Sequence, residues 1–329
     1  MGTTTAGRNE KPVRTVFMGT PAFALPVLEA LLAAGETEVV AVYTPPDRPR
    51  GRGRTMETTP VKAAAQERGL PLFQPASLRP APAQEELASL QPDLIVVAAY
   101  GKLLPPPVLA LPPHGCLNLH PSLLPRYRGP SPVVSAILDG APQTGVSLMF
   151  LDEGMDTGPV VAQEERGLRG DETADALTDE LFRRGAELLR ASLDGWVSGA
   201  LTAAPQDEAQ ATITRKLERA DGWADWNLPA VELERRRRAF TPWPGLSAHW
   251  QDKSLRLLDV APLEPPPGPG SEPNPEPGRV VALPLADTPV GVATGQGILG
   301  LKQVQLEGRR AVAAADFLRG YPAFIGSQL

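Results

Sequence analysis

Cysteine is almost missing from this sequence: Cys116 is the only one in 329 residues. An intrachain disulfide framework is thereby excluded, and a reducing, cytoplasmic setting fits. Cys116 lies in an apolar run, where a free thiol is more often a buried structural residue than a nucleophile. Histidine is scarce too, at three. One cysteine and three scattered histidines cannot build a structural zinc site, so no metal is expected. No apolar stretch approaches the length needed to span a bilayer. Residues 1–12 contain no hydrophobic segment and read as a disordered lead-in rather than a signal peptide. No Gly-x-Gly-x-x-Gly turn follows the first predicted strand, which weakens a nicotinamide reading. No Gly-x-Ser-x-Gly elbow surrounds Ser122, which weakens a serine-nucleophile reading. A net charge of −6 argues against a general nucleic-acid coat protein but leaves room for a local basic patch.

What is present is a soluble, globular composition with 42% apolar residues, long enough for two domains. Residues 14–18 predict a strand, 22–34 a helix and 38–44 a second strand, a βαβ unit whose crossover implies a parallel pair. The continuous apolar run 94–98 predicts a central strand covered on both faces. Further strands are expected at 116–119 and 145–151, with helices at 132–138 and 173–196. Together these predict an α/β, Rossmann-like, mostly parallel sheet with helices on both faces. After residue 199 the elements become short and β-like, at 246–250, 255–260, 279–283, 291–294 and 298–306, as in a small barrel. The boundaries follow as a first domain over 13–200, a linker over 201–211 and a second domain over 212–329. Residues 262–277 hold eight prolines and predict a floppy insertion.

Two polar turns stand out. Asn118 and His120 sit where a strand hands over to a loop, the end of a sheet at which open α/β folds hold ligands. At i and i+2 on a strand they share a face. About thirty residues later, Asp156 lies in the turn 152–158. An amide, an imidazole and a carboxylate with no enzyme nucleophile suit acyl transfer to an incoming amine. Asn118 and a protonated His120 would donate to the developing oxyanion, and Asp156 would pair with His120 or take the proton through a water. The plainer reading is a satisfied turn, since Asn and Asp commonly close loops. A third feature is Arg48, Arg50, Arg52 and Arg54, on alternate positions among Pro and Gly. It reads either as a mobile, solvated loop or as an arm that seeks phosphate. A fourth is the run 235–238 of consecutive arginines, for which a solvated helix face is an adequate account.

Asn118-Leu119-His120-Pro121-Ser122-Leu123-Leu124-Pro125, followed by Arg128-Gly129 and by 152–158, resembles the signature of the 10-formyltetrahydrofolate-dependent formyltransferases. Phe17-Met18-Gly19-Thr20-Pro21-Ala22-Phe23, residues 44–54, Ala99-Tyr100-Gly101, Lys216-Leu217 leading into Asp225-Trp226, and Arg238-Ala239-Phe240-Thr241-Pro242-Trp243-Pro244 extend the likeness over nearly the whole chain. They direct it to the branch that acts on methionyl-tRNA. Pro121, Pro130-Ser131 and the proline-rich insertion depart from the pattern. The resemblance implies a second domain of the oligonucleotide-binding (OB) type and a catalytic set of Asn118, His120 and Asp156. It implies a folate site along Ser122, Leu123, Leu124, Pro125, Lys102, Leu103 and Leu104, for 10-formyltetrahydrofolate as formyl donor. Arg48, Arg50, Arg52, Arg54 and Lys216 would meet the acceptor stem of initiator methionyl-tRNA, and Phe23 the methionine side chain. A cytoplasmic monomer is expected. The rivals are formyl transfer to a nucleotide or nucleotide-sugar amine, and a non-catalytic RNA-binding protein.

Overall fold

β1 (Val13–Gly19) sends Val16 and Met18 to one face and Phe17 to the other, and all three are fully buried. A strand with no wet face belongs in the middle of a sheet that carries helices on both sides. The computed structural model, which describes residues 11–50, 55–264 and 275–329, places it there. With β2 (Thr37–Tyr43), β3 (Arg48–Arg50), β4 (Thr55–Glu57), β5 (Leu72–Phe73), β6 (Leu94–Ala98), β7 (Cys116–His120), β8 (Gln143–Phe150) and β9 (Val160–Gly167), the first half of the chain is laid out. Seven of these form one sheet in the order β5-β2-β1-β6-β7-β8-β9. The pairs from β5 to β7 are parallel, and β8 returns antiparallel against β7.

Helices α1 (Leu25–Ala33), α2 (Pro60–Glu67), α3 (Ala81–Ser89), α4 (Pro106–Leu109), α5 (Pro132–Leu138) and α6 (Ala174–Val197) intervene or follow. Phe17, Val96, Leu117 and Leu119 pack with Leu28 of α1, Val61 of α2 and Leu189 of α6. Val16, Met18, Val97 and Cys116 pack with Leu87 of α3 and Val108 of α4. The alternation along the strands thus accounts for two cores, one on each face, and for the expected Rossmann-like architecture.

Contacts divide the chain into two compact units: Met1–Gly129, Thr144–Gly167 and Thr178–Thr214 form the first, and Pro130–Gln143, Leu168–Leu177 and Arg215–Leu329 the second. In the second, β10 (Ser247–Trp250), β11 (Lys253–Leu263), β12 (Val280–Ala282), β13 (Val290–Ala293), β14 (Ile298–Leu306) and β15 (Val312–Ala313) pair antiparallel throughout, consistent with a small β-barrel domain. α7 (Ala230–Ala239) and α8 (Ala314–Gly320) contribute Leu233 and Phe317 to its core. Trp250 meets Phe317, Tyr321 and Phe324 edge-on at 5.6, 5.5 and 5.1 Å.

Three expectations change in detail. Residues 48–50 and 55–57, expected in a mobile loop, pair as two short antiparallel strands, with Arg48 opposite Glu57 and Arg50 opposite Thr55. Alternation of Arg with Pro and Gly is compatible with a strand, because Pro49 needs no ladder donor at an edge. The proline-rich insertion starts later than residue 262, since Pro262 and Leu263 still pair with Leu299 and Ile298; residues 265–274, like 1–10, lie outside the described residues. The arginines at 235–238 are not a solvated face. Arg238 is buried, its Nε on both oxygens of Glu234 at 2.8 and 2.9 Å and its Nη1 on the Glu172 carbonyl at 3.1 Å. No described helix is long and apolar enough to cross a membrane.

Candidate active site

Leu117 and Leu119 of β7 enter one core and Cys116 the other. The pleat therefore puts Asn118 and His120 together on the Cys116 face. Asn118 stands opposite Val97 of β6 and Met149 of β8, half-buried. Its side-chain amide has no hydrogen-bond partner among the described residues, so both of its N–H groups are free to meet a ligand. His120 is 4% exposed. Its Nε2 lies 2.9 Å from the Tyr127 carbonyl, and because a carbonyl only accepts, the proton is on Nε2. Nδ1 then faces Asp156 Oδ2 at 3.6 Å, too long for a hydrogen bond but close enough for an ion pair whenever the ring is protonated.

Asp156 reaches this position from the loop after β8. It has φ +55°, a left-handed conformation that costs a non-glycine residue on the order of 1 kcal/mol. The loop is closed by Asp152, whose Oδ1 accepts from Gly154 N at 3.0 Å and from the Thr157 hydroxyl at 2.7 Å. Gly158 cannot carry a side chain, since a Cβ there would lie 1.9 Å from the Phe150 carbonyl. Oδ2 of Asp156 accepts the Gly129 N–H at 2.7 Å, and Oδ1 has no hydrogen-bond partner among the described residues. Gly129 is also obligatory: φ is +101°, and a Cβ would lie 2.8 Å from the Thr214 carbonyl. The three residues singled out from the sequence are thus neighbours, two on β7 and one on the loop after β8, with one free amide and one free carboxylate oxygen.

The loop that follows His120 is held from inside. Ser122 is fully buried, donating to the Arg126 carbonyl at 2.7 Å. The buried Ser147 hydroxyl donates to Ser122 O at 2.6 Å and accepts from Leu124 N and Gln163 Nε2 at 3.1 and 2.8 Å. Ser122 and Leu124 therefore offer a ligand little beyond the shape they impose, while Leu123 and Pro125 are half-buried at the surface. At the end of β6, Leu103 is 68% exposed, and the backbone polar groups of Leu103 and Leu104 have no partner among the described residues. An exposed apolar side chain beside free backbone donors and acceptors fits a flat ring with a polar edge, as a folate has. Lys102 is turned away from such a role, its ammonium donating to Pro75 O and Ala76 O at 2.7 and 2.8 Å.

Phe23 is half-buried against Phe182, ring centroids 4.7 Å apart. Lys216 is exposed in the second unit. Arg48 and Arg50 lie on β3, and Arg52 and Arg54 lie outside the described residues. Burial pushes the Cys116 thiol up to about 12, which removes it as a nucleophile at neutral pH. The same cause lifts the Tyr100 hydroxyl to about 12. Arg128 was visible only as part of the family signature, and Gln206, Glu208 and Thr212 were not singled out from the sequence. Arg128 is buried, with Nη1 and Nη2 on Glu208 at 3.0 and 2.7 Å and Nε on Gln206 Oε1 at 3.0 Å. Eighty residues separate the charged partners, a distance no local pattern bridges.

A mostly parallel α/β sheet presents an amide and an imidazole at the end of β7 and a carboxylate on the loop after β8, an arrangement suited to group transfer without an enzyme nucleophile. Residues 13–193 match the family described as Formyl transferase, and residues 216–322 match Formyl transferase, C-terminal domain. The chain belongs to the formyl transferase family. It is 46% identical over 328 residues to a methionyl-tRNA formyltransferase of Roseiflexus sp. (strain RS-1), covering 97% of this chain and 95% of the relative. It is 47% identical over 317 residues to one of Myxococcus xanthus (strain DK1622), covering 96% and 97%. Among solved structures, HypX from Aquifex aeolicus in complex with tetrahydrofolic acid shares the fold at TM-score 0.60 and 21% identity, over 94% of this chain and 47% of that one. An N-formyltransferase from Helicobacter canadensis, in complex with folinic acid and dTDP-3-aminofucose, does so at TM-score 0.63 and 15% identity, over 88% and 99%.

Proposed function

We propose that the chain transfers the formyl group of 10-formyltetrahydrofolate to the α-amino group of methionine carried by initiator tRNA. The observation that carries this reading is the unpartnered Asn118 amide beside the His120–Asp156 pair. Identity of 46% across nearly the full length of a methionyl-tRNA formyltransferase supports the choice of acceptor.

The amine nitrogen attacks the formyl carbon, a new N–C bond forms and the carbonyl oxygen takes negative charge. Asn118 donates to that oxygen, an interaction stronger in the tetrahedral state than in the ground state. The proton lost by the amine passes to Asp156 Oδ1, directly or through one water, and is handed to the folate nitrogen as its bond to the formyl carbon breaks. His120 has its Nε2–H on Tyr127 and Nδ1 on the Asp156 side, so when the ring is protonated it acts through Asp156, balancing the carboxylate's charge. This differs from a histidine that donates to the oxyanion directly.

On the substrate side, Leu103, Leu104, Leu123 and Pro125 form the surface for the folate, with Lys102, Ser122 and Leu124 holding its frame. Arg48, Arg50, Arg52, Arg54 and Lys216 meet acceptor-stem phosphates, the second unit serves as an OB-type RNA-binding domain, and Phe23 borders the methionine side chain. The same reading takes the chain to be a cytoplasmic monomer. The test is formyl transfer with purified protein, 10-formyltetrahydrofolate and either initiator methionyl-tRNA or an aminosugar nucleotide. Formylmethionyl-tRNA is the expected product. Turnover of the aminosugar nucleotide alone would reassign the acceptor.

A further inference from the structure

We infer that Gln206 is a positioning residue for formyl transfer, acting through Asp156, and that the segment 204–214 straps both loops of the site. This rests on the reading of Asp156 as the proton acceptor.

Gln206 lies between the two family regions, which end at 193 and begin at 216. Its Nε2 donates to the carbonyl of Asp156 at 2.8 Å and to that of Gly158 at 2.7 Å. One amide nitrogen thus pins the backbone on both sides of Thr157. Its Oε1 accepts from Arg128 Nε at 3.0 Å, so the amide has only one orientation that satisfies both ends. Arg128 is in turn fixed by Glu208. The left-handed backbone of Asp156 is a conformation that persists only where surroundings over-determine it, and Gln206 is the side chain that does so.

The rest of the strap is tied down with equal economy. Ala204 and Val160 exchange two backbone hydrogen bonds, each 2.8 Å. Thr212 Oγ1 accepts from Tyr127 N at 2.7 Å, and Thr212 O accepts from Arg128 N at 2.9 Å. Tyr127, also left-handed at φ +60°, is the residue whose carbonyl holds His120. A single stretch of chain therefore sets the backbone behind both His120 and Asp156, all of it within the first unit.

Gln206→Glu separates positioning from folding, because it keeps the acceptor for Arg128 and loses the donor to Asp156 and Gly158. Formyl transfer to methionyl-tRNA, followed with radiolabelled formyl groups, should show kcat reduced about tenfold or more, as displacement of a reacting group does. KM for either substrate should change by less than about twofold. In an Asp156→Asn background, with enzyme in excess, the same substitution should cost less than about twofold, because the group it positions is already disabled. A kcat within about twofold of wild type, a raised KM at unchanged kcat, or an undiminished loss in the Asp156→Asn background would each overturn the inference. If Gln206→Glu does not fold, Gln206→Asn, which keeps the amide and shortens its reach, is held to the same outcomes. A wild-type protein that formylates no methionyl-tRNA would instead refute the functional reading, whatever Gln206 does.

Discussion

The two loops of the site are built on different plans. The loop after β7 is held from beneath by buried hydroxyls: Ser122 closes it on Arg126, and Ser147 gathers Ser122, Leu124 and Gln163. The loop after β8 is closed by the exposed Asp152 and held by Gln206, fifty residues away. Its carboxylate belongs to a residue with a left-handed backbone, whereas in the first loop that conformation falls on Tyr127, beside the reacting groups rather than among them. The first loop is therefore held by burial as well as by Thr212 of the strap, and it follows the strand that presents the amide. The second is rigid only while the strap is in place, and presents a carboxylate.

The largest effect expected from this contrast is at the free amide. Asn118→Ala should lower kcat on the order of a hundredfold or more with the fold intact, as loss of an oxyanion donor does; a rate near wild type would return Asn118 to turn chemistry. Next comes the buried anchor. Ser147→Ala leaves Ser122 O, Leu124 N and the Gln163 amide with a lost partner, and thermal denaturation should record about 1–3 kcal/mol of destabilisation. Thr157→Val, which removes only an exposed bond to Asp152, should cost about 1 kcal/mol or less. Equal losses at the two positions would erase the distinction between the loops.

Smaller effects come from pH. The Arg128 guanidinium holds the Glu208 carboxyl below its usual range. A depressed value stabilises the fold at neutral pH, and that contribution is lost as the pH falls from about 4.3 through the lower folded value. Glu208→Gln should flatten this part of the acid-unfolding curve; an unchanged curve would mean that the pair is not formed in solution. Cys116, held up to about 12 by burial, should resist alkylation at pH 8 in the native protein and react once unfolded. Rapid native labelling would show that the core beside Asn118 opens readily.

Much of the first unit was legible because its strands carry two apolar faces: Val16, Phe17 and Met18 leave no other position in a sheet. Asn118 and His120 were legible because a period of two puts them on one face, and Asp156 because the next polar turn supplies a carboxylate, a choice that the family resemblance strengthened. The strap was hidden for a physical reason. Gln206 sits in the stretch read as a linker and Thr212 directly after it, and their bonds run to residues 50 and 85 positions away. Arg238 misled in the opposite direction. A run of four arginines looks solvated until Glu234, four residues earlier, takes one of them inside.

Single-turnover formation of formylmethionyl-tRNA, with 10-formyltetrahydrofolate and enzyme in excess, tests the central claim most directly when wild type and Asn118→Ala are compared side by side. Rapid transfer by the wild type is expected, and for Asn118→Ala a rate lower on the order of a hundredfold at saturating substrates. Equal rates for the two proteins, or no transfer to methionyl-tRNA by either, would contradict it.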